Sequence, residues 1–131
     1  MEIKRGNPEG MKNVRASVYN HYVRVDQPKS LIFVSGQVSR DSDGQQVGRG
    51  SMLEQTRQCI RNIEKSLKAA GAELSDIVWT TVYTTDMREF KEIVTAREEF
   101  FKTNLPTSTM VEVVHLADPG LMVEIQVIAA A

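Results

Sequence analysis

The sequence holds one cysteine, one tryptophan and four prolines in 131 residues. Cys59 has no partner for an internal disulfide, so the fold must come from burial rather than covalent cross-links. Charge of one sign is not in excess either: 16 Lys and Arg stand against 17 Asp and Glu. The basic residues are scattered, leaving no electrostatic footprint for DNA, RNA or an anionic membrane, and nucleic acid is not expected as a partner. No apolar run approaches the length that spans a bilayer, and "MEIKRGNPEG" lacks the apolar core of a signal peptide, so a soluble, cytoplasmic protein is expected. His21 and His115 stand far apart, without Cys, His or Asp at metal-ligand spacing. "DSDG" at 41–44 opens like a calcium loop but would place Met52 where the bidentate Glu belongs, and "GQQVGRG" lacks the Lys-Ser/Thr of a phosphate loop. Neither metal nor cofactor is expected.

What is present is 41% hydrophobic sequence, sufficient for the core of one domain over 1–131. "EIKRG" suggests a short edge strand. "SVYNHYVRV" and "SLIFVSGQV" are rich in β-branched and aromatic residues and predict two strands, and residues 40–50 predict a hairpin or loop. From Ser51 to Gly71, Leu53, Thr56, Ile60, Ile63, Leu67 and Ala70 recur at spacings of three and four, the pattern of an amphipathic helix. Ser51 with Glu54 forms a capping-box pattern, and Gly71 suits a left-handed C-terminal residue. Cys59 falls between the apolar positions and reads as a half-buried packing residue. "DIVWTTVYTT" predicts a strand; Asp86 and Glu89 cap a second helix, "MREFKEIVTAREEFF", with Phe90, Ile93, Val94, Phe100 and Phe101 toward one side. Two more strands follow, Thr109–His115 and Leu121–Ala129, around "LADPG".

The order β, β, β, α, β, α, β, β predicts a two-layer α+β domain, a mixed sheet with both helices on one face. The other face then needs a cover. In the last strand Val123, Ile125, Val127 and Ala129 suit the helix side, while Met122, Glu124, Gln126 and Ile128 point away. With Leu31, Phe33, Ser35 and Gln37, and with Met110, Glu112 and Val114, they form a mixed apolar and polar surface suited to an oligomer interface holding a small pocket. Glu124 on such a strand calls for a partner, a proton or a ligand. An interface ion pair and a general acid/base role both remain open for it; Glu112 suits a wet strand end. In "VSGQ", Gly36 would let a ligand approach the backbone. No Ser-His-Asp arrangement accompanies Ser35, Ser108 or Thr109.

Together "YNHYVRV", "LIFVSGQV", "EQTRQCIRNIEKSLKAAGAELSDIVWTTVYTTDMREF" and "PTSTMVEVVHLADPGLMVEIQVIA" resemble the RidA (YjgF) family of reactive-intermediate deaminases from about Tyr19 onward. The resemblance implies a chorismate-mutase-like fold assembled as a homotrimeric barrel with a small-molecule pocket at each subunit boundary. It also implies hydrolysis of an imine or enamine to a carbonyl compound and ammonia without a cofactor. Carried over, the catalytic acid matches Glu124 and the pocket matches Tyr22, Ser35, Gly36 and Gln37. The family's carboxylate-clamping Arg falls on Ser108, beside Thr109. A serine offers one neutral hydrogen bond where a guanidinium offers a charged fork, so altered substrate specificity is implied; Arg24, Arg97 and His21 are the residues available to replace the charge. The alternative is a non-catalytic trimer that binds a small ligand or regulates a partner. Some relatives have been described as ribonucleases or translation inhibitors, a role that finds no basic patch here.

Overall fold

The structure is a computed structural model describing all 131 residues. Six strands and two helices follow in the expected order: β1 (Glu2–Gly6), β2 (Tyr22–Asp26), β3 (Leu31–Val38), α1 (Met52–Ala69), β4 (Ile77–Thr84), α2 (Phe90–Phe100), β5 (Thr107–Glu112) and β6 (Val123–Ala130). Strands β3, β6, β4 and β5 lie side by side in that order. Only β4 and β5 are parallel, joined through α2, because a parallel pair needs a long crossover. Strands β1 and β2 form a separate antiparallel ribbon. The sheet is therefore mixed, with helices on one face, as the alternation of patterns predicts.

The core lies between α1 and the inward face of β6. Val123, Ile125, Val127 and Ala129 are all buried, as are Ile60, Ile63 and Leu67 of α1. Burying one such aliphatic side chain contributes roughly 1.5–3 kcal/mol, so this layer supplies much of the driving force. The ends of α1 are set locally. Ser51 Oγ accepts from the Glu54 N–H at 3.2 Å, and Gly71 takes φ +83°, the left-handed geometry that stops the helix. The reciprocal half of the capping box is missing, because the Glu54 carboxylate pairs with Arg57.

Five details depart from the sequence reading. "SVYNHYVRV" is not one strand: Arg15–Ser17 forms a 3-10 turn and pairing starts at Tyr22, since Val18 turns left-handed at φ +66°. The penultimate strand begins at Thr107 and ends at Glu112, because its parallel register with β4 runs from Trp79–Thr107 to Thr84–Glu112. Met110 consequently belongs to the helix side of the sheet rather than the open face. Cys59 is fully buried and its Sγ lies 3.6 Å from the Val123 carbonyl oxygen. Phe90 is largely exposed, whereas Ala96 and Arg97 of the same helix are buried.

Candidate functional site

Strand β6 is an inner strand of the sheet, and Glu124, its second residue, projects from the face that no helix covers. Its register partners are Tyr83 on β4 and Val38 on β3. The β3–β6 register slips between Val34 and Gln37, a bulge that bends β3 where Ser35 and Gly36 sit. Gly36 lets the backbone and Glu124 approach closely: an added Cβ would overlap the Glu124 carboxylate and lie 2.8 Å from its Cδ. A hollow of about 280 Å³ opens over the pair, lined also by Tyr83, His115, Leu116 and Gln126. The Tyr83 hydroxyl lies 3.4 Å from Gln126 Oε1, within reach to donate. None of the chain's five ion pairs includes Glu124, so its carboxylate is available to a ligand or a second chain.

The same carboxylate reaches inward electrostatically. Burial, then the Glu124 charge, pushes the Cys59 thiol well above its ordinary range. Cys59 is thereby kept neutral, which fits packing and not nucleophilic chemistry.

Ser108 stands on the other side of the sheet. It is paired in register with Thr80, and both hydroxyls meet the Arg97 guanidinium from α2. Nη1 donates to Ser108 Oγ at 3.1 Å and Nη2 to Thr80 Oγ1 at 3.4 Å. The guanidinium also lies 6.0 Å from the centre of the Phe101 ring, within cation–π range. No carboxylate joins it, although Arg97 is only 2% exposed. Desolvation accordingly brings its pKa down to about 10, opposed in part by Tyr19. A hollow of about 290 Å³ beside it is bounded by Lys12, Ser17, Tyr19, Phe90, Val94 and Met110. Ser17 and Tyr19 enter this wall on either side of Val18, a β-branched residue held at positive φ, a conformation that persists only where its surroundings enforce it.

The residues singled out in the sequence are thus divided. Glu124 and Gly36 come together. Thr109 faces the same open side as Glu124, one strand beyond Thr81, while Ser108 faces α2. Ser35 is exposed, and its carbonyl accepts from Gln37 Nε2 at 3.1 Å. Gln37 borders a different, open hollow with Arg40, Asn62 and Lys65; Arg40 is already paired with Asp118. Tyr22 packs its ring over Gly6 on β1, away from both hollows. Of the three residues available to replace the charge, Arg24 is paired with Asp26 at 2.9 Å, His21 Nε2 lies 2.6 Å from the Lys12 carbonyl oxygen, and Arg97 alone reaches Ser108.

Tyr83, His115, Tyr19 and Lys12 were not legible as site residues. Tyr83 could have been found from strand alternation once its register with Glu124 was known. The other three depend on loop conformations that carry no periodicity.

Comparison with known proteins bears on the whole arrangement. The family model described as endoribonuclease L-PSP matches residues 12–131. The 2-iminobutanoate/2-iminopropanoate deaminase of Homo sapiens is 32% identical over 111 residues, covering 85% of this chain and 78% of that protein. A RutC family protein from Pyrococcus horikoshii is 32% identical over 82% of this chain and 85% of its own length. Among solved structures, a Rid family protein of unknown function from Yersinia pestis, YyfB, superposes with a TM-score of 0.92 at 26% identity, covering all of both chains. A YjgF/YER057c/UK114 family member from Mycobacterium tuberculosis gives 0.68 at 32% identity, over 99% of this chain and 100% of its own.

Proposed function

Because the chain belongs to the YjgF/Rid family, whose model carries the description endoribonuclease L-PSP, we propose that it hydrolyses an imine or enamine to a carbonyl compound and ammonia, with Glu124 as general acid/base. One observation carries this reading: Glu124 is an unpaired carboxylate held beside Gly36 on the uncovered face of the sheet. Similarity to imine deaminases supports the reaction class.

In the proposed reaction water adds to the carbon of the C=N bond as its proton passes to the Glu124 carboxylate. Solvent protonates the imine nitrogen to complete the neutral carbinolamine, which then breaks its C–N bond: Glu124 returns its proton to the departing nitrogen, which leaves as ammonia, and the hydroxyl proton passes to solvent as the C=O bond forms. Imine plus water becomes carbonyl compound plus ammonia, with no change of oxidation state. Gly36 leaves room for the Glu124 carboxylate against the backbone, and Tyr83 and Gln126 are proposed to hold water in line.

The working form is proposed to be a homotrimer with its pockets at the subunit boundaries. The uncovered face supports this, since Phe33 is 72% exposed and Leu31 53%, in keeping with a surface buried against further copies. Within a trimer, the Glu124 face of one chain and the Ser108 side of a neighbour can border one cavity, although they are opposed within a chain. Tyr22, Ser35, Gln37 and Thr109 are proposed to complete that boundary. Ser108 in place of a strand arginine is proposed to alter which substrates are accepted. The test is turnover of enzymatically generated imines by wild type and Glu124→Gln: loss of at least tenfold is expected in the variant. Equal rates, or ligand binding without turnover across a broad imine panel, would favour the ligand-binding alternative.

A further inference from the structure

Imine hydrolysis needs two proton transfers that Glu124 does not perform. One proton must reach the imine nitrogen as water adds, and the carbinolamine hydroxyl must lose one as the C=O bond forms. A group that gives a proton in the first event and takes one in the second ends the cycle as it began. Imidazole is suited to both directions near neutral pH.

His115 lines the same hollow of about 280 Å³ as Glu124 and Gly36, a volume near the lower end for small-molecule sites. The other titratable residue of that lining is Tyr83, whose hydroxyl lies 3.4 Å from Gln126 Oε1. The second histidine of the chain, His21, has Nε2 engaged 2.6 Å from the Lys12 carbonyl oxygen. His115 has no such partner and belongs to none of the five ion pairs. Its side chain is exposed, so the ring is open to a ligand in the hollow.

The connector between β5 and β6 that carries His115 is held at both ends. The Val113 N–H donates to the Thr84 carbonyl at 2.8 Å. Toward the far end Gln55 of α1, fully buried, commits both ends of its amide: Nε2 donates to the Gly120 carbonyl at 2.8 Å, and Oε1 accepts from the Met122 N–H at 2.8 Å. Gln46 Nε2 donates to the Pro119 carbonyl at 2.9 Å. Asp118, the connector's other titratable side chain, is taken up by Arg40. His115 is therefore the free titratable group of an anchored loop, the kind of frame that lets a loop residue act in chemistry.

We propose that His115 is the second proton-transfer group of the Glu124 hollow. As imidazolium it protonates the imine nitrogen while Glu124 takes the proton of the adding water. As imidazole it then takes the carbinolamine hydroxyl proton while Glu124 gives its own to the departing nitrogen. Both side chains return to their starting states, and imine plus water becomes carbonyl compound plus ammonia. The proposal rests on the hydrolase reading and replaces the solvent in its two remaining transfers with a residue of this chain.

The test is ammonia release from enzymatically generated imines by wild type, His115→Ala, His115→Gln and Glu124→Gln, with melts to confirm equal folding. Both His115 variants should lose kcat by roughly 100-fold, the lower end for a positioned acid/base group, with KM nearly unchanged. Free imidazole should restore roughly tenfold of that loss in His115→Ala, in proportion to the imidazolium present, and should do nothing for Glu124→Gln. A merely structural histidine would not be replaced by imidazole in solution, so a loss without rescue would overturn the assignment. Wild-type kcat in both His115 variants beside an impaired Glu124→Gln would overturn it too and leave the hydrolase reading standing. Slow, imidazole-rescued His115→Ala beside a fully active Glu124→Gln would sustain His115 and remove the role given to Glu124. Wild type inert toward every imine would overturn both.

Discussion

The Arg97 guanidinium donates to Ser108 Oγ at 3.1 Å, linking helix α2 to strand β5 on the sheet face opposite Glu124. Two unpaired charges of opposite sign are therefore separated by one layer of sheet within a chain, and the unpaired cation has a consequence for stability. Below a pH of about 10 the buried guanidinium is charged and disfavours folding; the cost is relieved only as pH rises above about 10 toward the ordinary guanidinium range, where the native state binds fewer protons than the unfolded one. At neutral pH, Arg97→Met should raise ligand-free stability by ~1–4 kcal/mol. Denaturant melts check this, and a lower midpoint would mean that the arginine has a counter-ion in the assembled protein.

Gly36→Ala should damage the site more than the fold. The new methyl meets the far end of a flexible glutamate, which can swing away, so a stability change under about 1 kcal/mol is expected. Displacing the carboxylate by an ångström or more should lower kcat by up to about 100-fold. Parallel melts and imine turnover separate the two effects; unchanged kcat would remove Gly36 from the site.

Cys59 should be unreactive. It is fully buried, and both burial and Glu124 disfavour its thiolate. A thiol reagent such as 5,5′-dithiobis(2-nitrobenzoate) should label it only after denaturation, and Cys59→Ala should cost about 1–2 kcal/mol for the small cavity left. Rapid labelling of the native protein would contradict the packing of α1 on β6.

Phe33→Glu should disrupt the assembly. Phe33 is 72% exposed on the helix-free face, and a charge there would be desolvated in any interface. Light scattering should give three chains for wild type at micromolar concentration and fewer for the variant. A wild-type monomer would remove the boundary pocket altogether.

Most of the fold was legible because it is periodic. The 3.6-residue spacing marked α1, and two-residue alternation assigned Val123 to Ala129 to the core and Glu124 and Gln126 to the other face. What failed was non-periodic. Val18 broke the second strand by taking a left-handed conformation that sequence gives no reason to expect of valine. Ser108 and Thr109 are neighbours in sequence, yet strand alternation sends them to opposite faces once the β4–β5 register is fixed. Arg97 could be named as a substitute charge, but its arrival at Ser108 depended on how α2 lies over β5.

The most direct measurement is ammonia release from a panel of enzymatically generated imines, followed for wild type and Glu124→Gln at equal folded concentration. Wild-type turnover of at least one imine, reduced at least tenfold in Glu124→Gln with the fold and assembly intact, is the predicted result. Equal rates in the two proteins would contradict the role assigned to Glu124.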